Sequence, residues 1–115
     1  MTLEDLQAYC AKKPGVSWDT PFGPDVLVFG VMGKMFALAP IAVFDTMNLK
    51  CDPERAIELR ERYAGITPGY HMNKQHWNTV NATGSIPDKL IRELVDHSYE
   101  LVLASLPKKV REGML

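Results

Sequence analysis

Three histidines, two cysteines and the polar residues around Trp77 are the side chains of this 115-residue chain with most scope for chemistry. His71, His76 and His97, with Cys10, Cys51 and nearby carboxylates, offer the donor atoms of a zinc-type metal site. Their spacing does not assemble one. On a strand, His71 and His76 fall on opposite faces, and no Cys-x-x-Cys pair is present. Nucleophilic catalysis has no better footing: there is no G-x-S-x-G elbow, and neither cysteine has a base close by in sequence. Gly30-Val31-Met32-Gly33-Lys34 lacks the spacing of a phosphate-binding loop. Asp45, Asp52 and Glu54 suit turn and cap positions better than paired acid work. The expectation is a protein with no enzymatic activity, metal or cofactor.

A binding surface is easier to build. Lys74, Gln75, His76 and Asn78 surround Trp77 with a cation, amides and an imidazole, a mixture suited to phosphate contacts with base-edge hydrogen bonds or stacking. The same mixture makes an ordinary edge strand, with lysine outward against aggregation and Trp77 packed inward. Thirteen basic and 14 acidic residues leave a net charge of −1, so any basic footprint has to be a local patch.

The elements that would position these residues are legible from local pattern. Thr2 caps a helix starting at Leu3, with Asp5 completing a capping box, and Pro14-Gly15 ends it. Val16 to Asp19 alternates as a strand does, with Trp18 a core or rim anchor. Val26 to Val31 and Met35 to Ala39 form a hairpin around Met32-Gly33-Lys34, glycine taking the positive φ. The near-continuous apolarity of that hairpin implies that both its faces are covered, or that one meets another chain as a homodimer. Thr46 to Cys51 has a clean period of two, with Met47, Leu49 and Cys51 on one face.

Asp52-Pro53-Glu54 starts a second helix that Gly65 stops. Ala56, Leu59 and Tyr63 line its buried side, while Arg60-Glu61-Arg62 reads as solvated. Ile66 to Gly69 reads as a turn and Tyr70 to Val80 as a polar strand. Pro87-Asp88 opens the last helix, whose stripe of Leu90/Ile91, Leu94/Val95 and Leu101/Val102 has Ser98 in its one small gap. Lys89–Glu93 and Arg92–Asp96 are its expected outer ion pairs. Pro107 ends it, leaving Lys108 to Arg111 as a frayed basic tail. The length fits one domain spanning residues 1–115. Two unpaired cysteines and an acidic N-terminus without a signal-peptide pattern point to a reduced, cytoplasmic protein. No apolar run is long enough to cross a bilayer.

The segment Ile66 to Val80, with its His76-Trp77-Asn78 core, resembles the MmcQ/YjbR family of small bacterial proteins. Leu49 to Glu54, Gly84 to Asp88 and His97 to Val102 agree, in order, along essentially the whole chain. The apolar Pro40 to Val43 stretch departs from the more polar hairpin the family leads one to expect. The resemblance implies an α+β domain: an antiparallel sheet flanked by N-terminal, middle and C-terminal helices, in a double-wing arrangement similar to that of frataxin-like proteins. It also implies DNA binding, by an analogy of fold alone. It brings no catalytic residues, and Glu4 and Asp5 are too few for a frataxin-like acidic ridge.

Two readings follow. In the first, the sheet meets DNA through Lys34, Lys50 and Lys74 on phosphates. His76 and Asn78 share the Lys74 face, and Trp77, pointing the other way, is structural. In the second, the chain is a ligand- or protein-binding module: the hairpin Val26 to Ala39 makes a homodimer and a pocket between sheet and last helix, carrying Tyr70, His71 and His76, holds a small molecule.

Overall fold

Thr2 opens the chain as its capping box requires. Its Oγ1 accepts from Asp5 N at 3.1 Å, while the Asp5 carboxylate accepts from Thr2 N at 2.9 Å, and helix α1 (Leu3–Ala11) follows. The computed structural model describes residues 1–114. Strands β1 (Val16–Asp19), β2 (Val26–Val31), β3 (Lys34–Pro40) and β4 (Thr46–Lys50) come next, then α2 (Pro53–Arg62), β5 (Ile66–Pro68), β6 (Trp77–Asn81), α3 (Asp88–Ser105) and α4 (Lys108–Glu112). The six strands form one sheet in the order β1-β2-β3-β4-β6-β5, with every pair antiparallel. This is the α+β architecture expected.

Helices cover one face of the sheet. Phe29, Phe36, Met47, Leu49 and Val80 pack there with Leu6 and Cys10 of α1, Ala56 and Leu59 of α2, and the α3 stripe. The β2–β3 hairpin turns on two residues, Met32 at φ +50° and Gly33 at φ +82°, which is the type I′ requirement, so Lys34 already belongs to β3. A bulge opposite Phe29/Gly30 sends both Phe36 and Ala37 into the helix-side core. The apolarity of this hairpin has its cause here: one face builds the core, while Val28, Leu38 and Met35 join Trp77 in a second cluster on the other.

Ser98 does more than fill a gap. Fully buried, its hydroxyl accepts from Lys50 N at 2.9 Å and donates to Phe36 O at 2.5 Å, tying α3 to β4 and β3. Asp96 does not pair with Arg92. It accepts from Lys13 Nζ at 2.5 Å and Tyr9 OH at 2.7 Å, because α1 brings both over α3. No Lys89–Glu93 bridge forms among the described residues; both side chains stay in solvent.

Three expectations are corrected. Ile66–Pro68 is not a turn but the edge strand β5, where Pro68 is tolerated because its outer side needs no donor. Lys108 to Arg111 is not frayed: Pro107 starts the short helix α4, whose Val110 packs on the core. The polar strand begins only at Trp77, and residues 69–76 are a loop.

Candidate functional site

The sheet face away from the helices carries an open groove of about 870 Å³. Its floor is Val26, Met35 and Leu38 with Trp77, whose indole is only 7% exposed. Phe22, in the β1–β2 loop, stands at one margin, and Tyr70, His71, Met72 and Asn73 form the wall at the other. Among the described residues, no Asp, Glu, Lys or Arg lines it. A volume in the range of drug-sized sites, apolar walls and few polar groups are the marks of a ligand pocket.

The wall is built by side chains from distant elements. Tyr70 N donates to Thr79 Oγ1 at 2.9 Å, Thr79 Oγ1 donates to Asn48 Oδ1 at 2.6 Å, and Asn48 Nδ2 donates to Tyr70 O at 3.1 Å. This closed ring of bonds holds both backbone polar groups of Tyr70 over the sheet. Its side chain remains 69% exposed, and its ring centroid lies 4.0 Å from that of His71. His71 has φ +60°, a left-handed conformation that non-glycine residues rarely adopt. Two residues earlier, Gly69 is required for close approach: a Cβ there would meet Trp77 Cβ at 2.8 Å and Trp77 O at 2.9 Å.

Arg60 braces the loop from behind. Its Nε donates to Asn78 Oδ1 at 2.6 Å, and its Nη2 donates to Trp77 O at 3.2 Å and to Lys74 O. The expectation that Arg60 belongs to a solvated charged face is therefore wrong. Its neighbours in sequence gave no sign of this, because the acceptors lie 14 to 18 residues further on.

The five proposed DNA contacts do not share a face. Alternation does oppose Trp77 to Asn78, as parity requires, but with the inside and outside exchanged. Trp77 points to the open groove, and Asn78, 2% exposed, points to α2, where its Nδ2 lies 3.5 Å from Ala56 O. Lys34 reaches to the helix side and donates to Ser105 Oγ at 2.8 Å. Lys50 alternates with Leu49 towards the groove side without lining the groove, and Lys74 Nζ donates to Gly69 O at 3.2 Å. His76 is half-buried. What unites Lys34, Lys50, Lys74 and His76 is one end of the sheet, since Leu49 pairs with Ala37 and Lys50 with Trp77. The groove also differs from the pocket expected between sheet and last helix. It lies on the opposite face, includes Tyr70 and His71, and excludes His76.

The remaining candidates for chemistry are structural. His97 accepts the Asp52 N–H through Nε2 at 3.1 Å, beside the Asp52 carboxylate that caps α2, and burial with the Arg55 charge lowers its pKa. Burial pushes the Cys10 thiol up to about 12 and raises that of Cys51, keeping both protonated and unreactive. No group of three or more metal-binding side chains occurs among the described residues. None of the described helices is long and apolar enough to cross a membrane.

Known proteins resemble this chain in sequence and in fold. Escherichia coli O157:H7 YbdF, described only as uncharacterized, is 39% identical over 107 residues, covering 92% of this chain and 88% of its own. Escherichia coli K12 YjbR, described in the same way, is 34% identical over 113 residues, covering 97% and 96%. The crystal structure of Deinococcus radiodurans DR2400, a DUF419 domain, matches with a TM-score of 0.91 at 39% identity, over 98% of this chain and 87% of that one. A Pseudomonas syringae protein matches at 0.75 and 32% identity, over 89% and 99%. With the YjbR family model matching residues 11–101, the chain belongs to the YjbR family.

Proposed function

We propose that this chain is a binding protein, without catalytic chemistry of its own, that takes a neutral apolar small molecule on the open face of its sheet. The observation that carries this reading is the groove: an apolar floor around Trp77, walls fixed by side-chain hydrogen bonds, and no Asp, Glu, Lys or Arg among its described lining residues. A folded surface holds such a wall in place at a cost in backbone freedom that a solvated loop does not bear. The test is displacement of the neutral dye N-phenyl-1-naphthylamine. Saturable binding, lost in Thr46→Arg at the groove margin, is expected. Equal dye binding by Thr46→Arg and the parent would move the site elsewhere.

DNA is the second reading. It is favoured by the gathering of Lys34, Lys50, Lys74 and His76 at one end of the sheet and by the double-wing resemblance. A duplex held there would contact few phosphates, so binding to mixed-sequence DNA should be weak and should fall with salt at a slope of roughly two to three. Absence of binding at low salt, or a flat slope, removes it.

A further inference from the structure

We infer that the ligand of this groove is a flat aromatic molecule, uncharged and carrying a hydrogen-bond acceptor at one edge, which packs on the Tyr70–His71 ring pair. This rests on the groove reading above and narrows it to a ligand class.

Rings come first. Phe22, Tyr70, His71 and Trp77 all line the groove, and Phe22 and Tyr70 are left 67% and 69% exposed at its two margins. Large rings held in water lose their apolar contacts, and a planar aromatic partner regains them by offset or edge-on packing. A flexible aliphatic chain would fill the floor equally well but would gain nothing particular from the margins.

Backbone commitment comes second. Asn48 and Thr79 spend their side chains on the backbone of Tyr70 and none on its ring. The chain also keeps His71 left-handed at φ +60°, where glycine would be free of strain. The product of both is one thing: an imidazole and a phenol ring paired at 4.0 Å beside the groove. Strain at His71, next to a residue fixed by a closed hydrogen-bond ring, is expected where the presented side chains have work to do.

Charge and donors come third. With no Asp, Glu, Lys or Arg in the lining, an ionic ligand would lose its hydration without compensation. Thr79 spends its hydroxyl proton on Asn48, and Asn48 spends one of its two N–H groups on Tyr70 O. Asn73 uses Oδ1 to accept from Gln75 N at 2.9 Å and His76 N at 3.3 Å, so its amide end is a donor. The Asn73 NH₂ and the second N–H of the Asn48 amide, which can only donate, therefore favour a ligand that accepts, through a carbonyl or a ring nitrogen.

Three neutral competitors against N-phenyl-1-naphthylamine separate the parts of this inference: 2-acetylnaphthalene, 2-ethylnaphthalene and 1-decanol. The acetyl compound should compete best, ahead of the ethyl compound by roughly three- to tenfold, the worth of one hydrogen bond, and ahead of decanol by more. Tyr70→Leu keeps the backbone bonds, so it should fold normally. It should weaken 2-acetylnaphthalene by roughly three- to tenfold, the worth of one aromatic contact, and leave decanol within about twofold. His71→Gly should raise the thermal midpoint by a few degrees while weakening the acetyl compound, a split that a merely structural histidine would not produce. Equal competition by decanol and the naphthalenes, or indifference to Tyr70→Leu and His71→Gly, overturns the aromatic inference and leaves the groove reading standing. Equality of the acetyl and ethyl compounds overturns the acceptor. Failure of every probe, the dye included, overturns both readings.

Discussion

Replacing Arg60 by methionine keeps the apolar stem and removes the guanidinium that braces the groove wall. Three bonds go with it: to Asn78 Oδ1 at 2.6 Å, to Trp77 O at 3.2 Å and to Lys74 O. The Lys74 carbonyl sits on an exposed loop where water can take over, and the Trp77 carbonyl keeps its bond from Gly69 N at 2.8 Å. The Asn78 oxygen, on a residue 2% exposed, has no such recourse, and its amide has only the long 3.5 Å contact to Ala56 O. A hydrogen bond from a charged donor contributes about 1.5–3 kcal/mol, and an acceptor left buried without a partner costs a comparable amount. Discounting the wall carbonyls, Arg60→Met should cost about 2–3 kcal/mol, which lowers the thermal midpoint by roughly 10 °C for a domain of this size. Asn78→Leu alone strands the Arg60 head group and should cost about 1–2 kcal/mol. The double variant replaces both partners with apolar groups, so its loss should fall short of the sum by about 1.5 kcal/mol or more. Urea unfolding of the four proteins measures this coupling. Additivity within about 0.5 kcal/mol would refute the claim that Arg60 and Asn78 form one unit.

Ser98→Ala removes both bonds of a fully buried hydroxyl. It should cost about 2–3 kcal/mol in denaturant unfolding even after the roughly 0.5 kcal/mol that alanine returns in helix propensity; a loss under about 1 kcal/mol would reduce Ser98 to a space-filler. His97 has its pKa lowered below the ordinary 6.5, so the folded protein holds it neutral while the unfolded chain takes a proton. Its contribution to stability is then complete above pH 6.5, is lost as the pH falls from 6.5 towards the folded value, and stays constant below that. His97→Gln, which retains an acceptor for Asp52 N–H, should flatten that part of the stability–pH curve, and an unchanged curve would discard the assignment. Gly69→Ala drives a Cβ against the Trp77 backbone and should lower both the thermal midpoint and dye affinity, read in the same samples. Retention of both would show that the wall gives way easily.

The parts of this fold that sequence predicts well are those decided within one turn or one strand. The capping box of Thr2 and Asp5, the Asp52 cap of α2, the Met47/Leu49 alternation and the α3 stripe all depend on neighbours three or four residues away at most. The misread stretch, residues 69–76, is shaped from outside. Asn48 fixes Tyr70 from 22 residues away, and Arg60 fixes Lys74 and Trp77 from 14 and 17. Its own residues form a largely polar run that reads as an edge strand, and only the tertiary bonds make it a wall. The same limit explains the exchange of faces around Trp77. Period two says which residues share a face and is silent on which face is inside. Composition favoured the indole inward and the carboxamide outward, whereas here both are buried, the carboxamide against an arginine and the indole against Val28 and Leu38.

That exchange changes what the central motif is for. With Asn78 turned inward, it shares no face with Lys74 and His76, and the histidine, lysine and tryptophan that drew attention to the strand fall to separate tasks. Trp77 floors a groove, Lys74 and His76 close the loop behind it through Gly69 O and the Cys51 N–H to His76 O bond of 2.8 Å, and Asn78 carries the brace to α2. A loop tied at Gly69, Tyr70, Lys74, His76 and Trp77 has little freedom left to lose. On the proposed reading, a ligand at such a wall would avoid most of the ordering cost that a mobile loop would impose. The bonds that make residues 69–76 hard to read from sequence are therefore the ones that preorganise the groove.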